Sequence, residues 1–256
     1  MEQQKKHTVE ILIGVGYIIL FCLVIATGTA FFAATISSQP PETINVIATN
    51  LPPRFPTPGF DAAVLGLQTF FEDDFSNNEN NWRKPTDGTY IAEVRDGELF
   101  IQSNMNDSFL VAKCGDCPLM RDAYFLQADL RTTEATNQLF GVVFASSWFH
   151  TEIETCYVFT INTESKEYGL FHYKNESWSI RMLGVSDLIR SFPEKNKLSI
   201  LANGDTVQFY INEEFLESYT QTAEKFHDGS FGFYVNSEDY ELVVDDLVVK
   251  LLGDEQ

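Results

Sequence analysis

From about Phe70 onward, apolar and aromatic residues recur at every second position in short runs. Val207, Phe209 and Ile211 alternate with Gln208 and Tyr210; Phe231, Phe233 and Val235 alternate with Gly232 and Tyr234; Leu198, Ile200 and Ala202 alternate with Ser199 and Leu201. A period of two sends neighbouring side chains to opposite faces of an extended chain, so each run reads as a half-buried strand. Residues 89–94, 98–102, 124–131, 139–146, 156–161 and 168–173 read the same way. Asp87-Gly88, Asp96-Gly97, Asn203-Gly204 and Asp228-Gly229 fall between runs and supply the positive φ angles of tight hairpin turns. No long amphipathic helix is expected; a short helical turn is expected at residues 61–69 or 186–190. About ten strands in roughly 185 residues is the cadence of an all-β sandwich or barrel. No fixed-period repeat appears, which disfavours a propeller or solenoid.

Particular segments narrow this further. Phe71-Glu72-Asp73-Asp74-Phe75, followed by Trp82, resembles the first strand of concanavalin A-like (laminin G-like) jelly-roll modules. So do the run from Lys197 to Asp205, then Val207 to Ile211 with Glu214, the stretch from Asp228 to Val235, and the ending from Val243 to Val248. The resemblance covers most of residues 70–252 and implies a two-sheet antiparallel jelly-roll sandwich with adjacent first and last strands. It speaks to fold far more than to function, since that fold hosts lectins, glycan-degrading enzymes and adhesion modules.

Ahead of this domain, residues 11–34 contain no charged side chain. A bilayer core about 30 Å thick is crossed by roughly 20 apolar helical residues, and a cleaved signal has a shorter apolar region. An uncleaved transmembrane helix is therefore expected, over residues 11–36. Lys5 and Lys6 precede it and no Lys or Arg follows until Arg54, so residues 1–10 are expected in the cytoplasm and the rest outside. The expected location is the cell membrane, single-pass, with the C-terminal domain extracytoplasmic. Residues 37–60 hold Pro40, Pro41, Pro52, Pro53, Pro56 and Pro58 and read as a semi-rigid linker. Residues 61–256 are the sandwich domain. Ala26 and Ala30, four apart around Gly28, give a weak helix-packing signal.

The chain carries 37 Asp+Glu against 17 Lys+Arg, a net charge of −20. The first ten residues are neutral, so this charge belongs to the part beyond the span. Nucleic acid is excluded as a partner, because phosphates require clustered Lys and Arg. Solubility accounts for such acidity, and calcium binding is the sharper reading. Asp73, Asp74, Asp245 and Asp246 are the candidate ligands, since the resemblance brings the first and last strands side by side and calcium takes several carboxylate oxygens.

Catalytic signals are incomplete. Enzymes of the laminarinase class in this fold use a Glu-x-Asp-x-x-Glu strand, and their chemistry needs two carboxylates about 5–5.5 Å apart. The nearest match here is Glu72-x-Asp74-x-x-Asn77, with Asn in the third place; Glu152-x-Glu154 has no third partner. His7, His150, His172 and His227 lack metal-ligand spacing, and no nucleophile elbow or phosphate loop is present. No catalytic residue is assigned. Cys114-Gly-Asp-Cys117 is expected to be a disulfide clamping a loop; a bridge from Cys156 and a reduced metal-binding pair remain open. Asn106-Asp-Ser108 and Asn175-Glu-Ser177 fit the glycosylation acceptor pattern.

Sugars present apolar C–H faces beside hydroxyls, so a site for them needs an aromatic platform next to polar groups. Trp148, His150, Tyr157, Tyr168, His172, Tyr173 and Trp178 cluster in the middle of the domain and are the candidate ligand-binding residues of one sheet. The expected function is a membrane-anchored extracytoplasmic binding module for carbohydrate or a surface protein. The competing classes are an accessory subunit of a membrane complex and a glycan-active hydrolase.

Overall fold

The computed structural model describes residues 67–82, 90–104, 110–113, 117–120, 123–149, 152–221, 226, 229–235 and 239–252. The expected cytoplasmic segment, transmembrane helix and Pro-rich linker lie outside these residues, as do the 87–88 turn, the first glycosylation triplet, Cys114 and His150. The described residues all belong to the unit Phe55–Gln256.

They form fourteen strands: β1 (Leu67–Asp73), β2 (Tyr90–Arg95), β3 (Glu98–Ser103), β4 (Leu110–Lys113), β5 (Tyr124–Thr132), β6 (Phe140–Phe149), β7 (Glu152–Ile161), β8 (Glu167–Lys174), β9 (Ser177–Val185), β10 (Asn196–Asn203), β11 (Thr206–Ile211), β12 (Glu214–Thr220), β13 (Ser230–Val235) and β14 (Glu241–Leu252). An eight-stranded sheet runs β12-β11-β10-β5-β14-β3-β2, with β1 also paired to β14. A six-stranded sheet runs β4-β13-β6-β7-β8-β9. Every pairing is antiparallel. This is the all-β two-sheet sandwich expected from the alternating runs. The first strand lies against the last, with Asp73 opposite Leu247.

The short helical turn expected at residues 61–69 is corrected where it is described, because Leu67, Gln68 and Thr69 pair with Leu252, Leu251 and Lys250 as strand. Residues 186–190 form turns without a helix.

The main core gathers the inward side chains of both sheets: Leu126, Ala128 and Leu130 of β5, Ile200 and Phe209 of the long sheet, Phe144, Tyr157 and Phe159 of the short one. Phe209 meets Phe159 at 4.6 Å and Phe144 at 6.2 Å between ring centres, closing the sandwich across its middle. Two further ties cross between sheets. Tyr168 of β8 donates its hydroxyl to Glu217 of β12 at 2.8 Å, and Tyr157 of β7 donates to Gln221, just after β12, at 2.7 Å.

One end is locked by Asp73. Its Oδ1 accepts the Phe75 N–H at 2.8 Å, and its Oδ2 accepts Trp82 Nε1–H and Asn80 Nδ2–H, each at 2.8 Å. Phe75 is fully buried at φ 52°, a conformation that a bulky L residue adopts only under local constraint. The Asp73 bond supplies that constraint. The Trp82 ring lies 5.8 Å from Phe75 and 5.6 Å from Phe233 of the opposite sheet. The Asp–Phe–Trp pattern that resembled a jelly-roll first strand is thus a hydrogen-bonded hub with its aromatic rings in the core.

Candidate functional site

A second, smaller apolar cluster sits on the face of the six-stranded sheet turned away from the core. Val143 of β6 and Cys156 and Val158 of β7 are buried there under Ile153, Phe171, Tyr173 and Tyr234. The facing follows from alternation. Tyr168, Leu170 and His172 of β8 point inward, so Gly169, Phe171 and Tyr173 point outward. A Cβ on Gly169 would lie 2.6 Å from the Phe171 ring and 3.0 Å from Leu183, so a larger residue there would displace those side chains. Burial pushes the Cys156 thiol and the Tyr234 hydroxyl each up to about 12, so both stay neutral at ordinary pH.

β9 extends this face to the sheet's edge. Tyr173 is paired with Trp178, and their ring centres are 5.0 Å apart at 51°. Trp178 is 41% exposed, and Ile180, Leu183 and Val185 follow it on the same face. The two-residue turn Asn175-Glu176 joins β8 to β9 beside the aromatic pair, and Lys174, Asn175, Glu176 and Ser177 are all exposed. Aromatic faces beside exposed amide, carboxylate, ammonium and hydroxyl groups form a surface able to take an amphipathic ligand.

The seven candidate binding residues do not form one platform. Tyr157, Tyr168 and His172 point into the sandwich: Tyr157 and His172 are stacked at 4.2 Å and 2°, and Tyr168 holds Glu217. His172 Nδ1 lies 2.9 Å from the Arg181 guanidinium, which can only donate, so the ring nitrogen accepts there; its Nε2 lies 3.0 Å from Thr155 Oγ1. These three residues are interior ties, placed inward by the same alternation that exposes their neighbours. Tyr173 and Trp178 share the outer face. The backbone of Trp148 lies in β6 opposite Ile153, while the Trp148 side chain and all of His150 lie outside the described residues.

The outer-face residues that sequence alone missed are Phe171, Ile180, Leu183 and Val185. β9 carries one extra residue at Arg181, where its register with β8 shifts between Leu170 and Phe171. Outward side chains therefore fall on Trp178 and Ile180 before the bulge and on Leu183 and Val185 after it. That change of phase hides the strand from a strict period-two search.

Of the four candidate calcium ligands, Asp73, Asp74 and Asp246 line one open pocket, while Asp245 turns away from them. Among the described residues, no three His, Cys, Asp or Glu side chains gather to hold a metal ion. A bulge in β14 separates the pair, since Asp245 lies opposite Asp129 and the next pairing is Val248 with Gln127. Asp245 turns to the outer face of the eight-stranded sheet and accepts from Lys195 Nζ at 2.5 Å. Burial opposes the charge on Lys195, but hydrogen bonds to Asp245 and Glu98 outweigh it and raise its pKa. Asp246 instead lines an open acidic pocket of about 440 Å³ with Glu72, Asp73, Asp74 and Glu79. Asp74 there accepts the Ser76 N–H, which lowers its pKa. Asp73 is spent on the Trp82 hub. Asn77, third in the incomplete catalytic run, accepts the Glu79 N–H. Glu154 accepts from Ser147 Oγ at 3.1 Å.

No family model matches the chain, and no curated protein matches it. Solved structures do match. A protein of unknown function with a galectin-like fold from Bacillus subtilis is 12% identical, with a TM-score of 0.52, covering 72% of this chain and 97% of that one. The GlcNAcα1-4Gal-releasing endo-β-galactosidase from Clostridium perfringens is 12% identical, with a TM-score of 0.52, covering 74% of this chain and 63% of that one. The κ-carrageenase from Pseudoalteromonas carrageenovora, solved with an oligotetrasaccharide of κ-carrageenan, is 11% identical, with a TM-score of 0.50, covering 79% and 99%. At such identities the likeness concerns the fold: the described residues form a two-sheet jelly-roll sandwich of galectin-like, concanavalin A-like fold.

Proposed function

We propose that the domain is a carbohydrate-binding module, and that the outer face of the six-stranded sheet receives the glycan. The observation that carries this reading is the Tyr173–Trp178 pair, half-open to solvent beside the polar Asn175-Glu176 turn. Two of the matching structures bear the names of enzymes acting on glycans, which supports a glycan ligand for a chain of this fold. Binding without cleavage is favoured by the incomplete acid run at Glu72, Asp74 and Asn77. The charge-free stretch 11–34 supports a single-span anchor with the module held outside the membrane, and the short Cys114–Cys117 spacing supports a loop disulfide.

The test is to incubate the full chain with an oligosaccharide panel, reading retained ligand and released product together. Saturable retention of intact ligand is expected. Product release would make the chain a hydrolase. No retention across a broad panel would overturn the glycan reading in favour of a protein ligand.

A further inference from the structure

Among the described residues β9 is the last strand of the six-stranded sheet, and its outer side is apolar. Edge strands are ordinarily blunted by charge, proline, bulges or covering chain, because their unpaired backbone groups recruit another strand; of these devices β9 shows the bulge at Arg181 and one inward-turned charge. β9 has no proline and no acidic residue, in a chain of net charge −20. Its single charged side chain, Arg181, is turned toward His172 on the inner side. Its outer side presents Trp178, Ile180, Leu183 and Val185, exposed by 41, 61, 59 and 69%. A contiguous apolar strip of this kind marks an association surface. The absence of acid makes it a place where two strongly negative chains approach with little repulsion.

The bulge selects the occupant. Residues directly opposite one another in an antiparallel pair share a face. Consider a second β9 laid antiparallel with its Leu183 opposite Ile180. Trp178 then meets the partner's Val185, both outward, and Ser179 meets the partner's Gly184, both inward. At the centre Arg181 meets the partner's Met182, again both inward. In a regular strand, residues 180 and 183 would lie on opposite faces, and this register would bury apolar groups against polar ones. The extra residue at Arg181 makes the strand self-complementary about a two-fold axis between Arg181 and Met182. That is the requirement of an isologous interface.

We propose that β9 is the interface with a second copy of this chain, joining two six-stranded sheets into one continuous sheet across a two-fold axis. The dimer displays two Tyr173–Trp178 pairs on one face, offset by about 20 Å along the strands at roughly 3.3 Å per residue. The interface itself stands whether or not those pairs bind sugar.

The experiment is the mass of the full chain in mild detergent by light scattering and sedimentation equilibrium, with Ile180→Lys and Leu183→Lys beside it. Both side chains are more than half exposed, so each variant is expected to keep the parent fold, read by circular dichroism. The parent is expected to be a dimer in the micromolar range and both variants monomers. Register is read by mixing an Ile180→Cys chain with a Leu183→Cys chain under mild oxidation. Cross-linked dimers containing one of each are expected, well above the yield of either chain alone. A monomeric parent would overturn the proposal. So would a dimer untouched by both Lys variants, as packing through residues 11–34 would give, or cross-linking no greater in the mixture than in its components.

Discussion

Asp73 illustrates how one side chain fixes the geometry of a whole end of the sandwich. Its carboxylate accepts three hydrogen bonds, holds Phe75 at positive φ and seats Trp82 in the core. Asp73→Ala leaves the buried Trp82 Nε1–H without its acceptor and releases the strained backbone. Urea unfolding of the variant is expected to show a loss of about 2–4 kcal/mol, the size associated with breaking buried bonds to a charged group. Tyr168 gives a second residue-scale expectation. Burial, with the bonded Glu217 carboxylate beside it, pushes its hydroxyl up to about 12 from an ordinary 10.0. The fold therefore favours the neutral phenol. Its contribution to stability is complete below pH 10 and is lost as pH rises from 10 toward 12, where only the unfolded chain has released the proton. Tm measured across that range is expected to fall more steeply in the parent than in Tyr168→Phe; equal slopes would show that Tyr168 contributes no such linkage.

At the scale of elements, two hairpins turn without glycine. Asn175-Glu176 and Asn212-Glu213 each place both residues at positive φ, at 52° and 58° in the first turn and 53° and 69° in the second. Asn tolerates that region, while Glu pays a steric cost between its Cβ and the following carbonyl. Glu176→Gly is expected to raise stability by about 0.5–1 kcal/mol, since Asn-Gly is the preferred pair for such turns; thermal unfolding reads the sign directly. The same turns show what the sequence concealed. Asp96-Gly97 and Asn203-Gly204 announced their hairpins through glycine, and the β10–β11 alternation was legible because Leu198, Ile200, Val207 and Phe209 keep one phase. β9 and β12 were not legible. One begins after an Asn-Glu turn and slips phase at Arg181; the other begins after an Asn-Glu turn and slips at its pairing between Phe209 and Tyr210. The candidate site suffered for the same reason. Tyr157, Tyr168 and His172 are aromatic or imidazole and near in sequence to Tyr173, but sheet parity sends them inward, and a one-dimensional cluster carries no parity once bulges intervene.

Across the whole molecule, the two sheets have different outer surfaces. The eight-stranded sheet mixes paired charge with aromatic side chains: Arg95 stacks 3.8 Å from the Phe100 ring centre and bridges to Glu241, Arg131 pairs with Glu98, Lys195 spans Glu98 and Asp245, and Tyr210 packs on Phe215 at 5.6 Å. Partly exposed ion pairs of this kind satisfy one another and contribute modestly to stability. The six-stranded sheet is aromatic and aliphatic outside as well as inside, which a solvated face does not need to be. Cys156 lies within that outer cluster, fully buried and held neutral, and is expected to resist a thiol reagent in the native protein and to react on unfolding.

The half-open Tyr173–Trp178 pair beside the polar Asn175-Glu176 turn is the basis for assigning function to the outer face of the six-stranded sheet. The most direct measurement is a glycan-array screen of the full chain beside its Trp178→Ala and Tyr173→Ala variants, followed by titration of any glycan retained. The account predicts saturable binding by the parent and about tenfold or greater weakening in each variant, at unchanged Tm for the half-exposed Trp178→Ala and with the fold retained in Tyr173→Ala, as expected for truncating a central aromatic anchor. Binding that both variants retain at parental affinity would contradict the assignment of the site to the outer face of the six-stranded sheet.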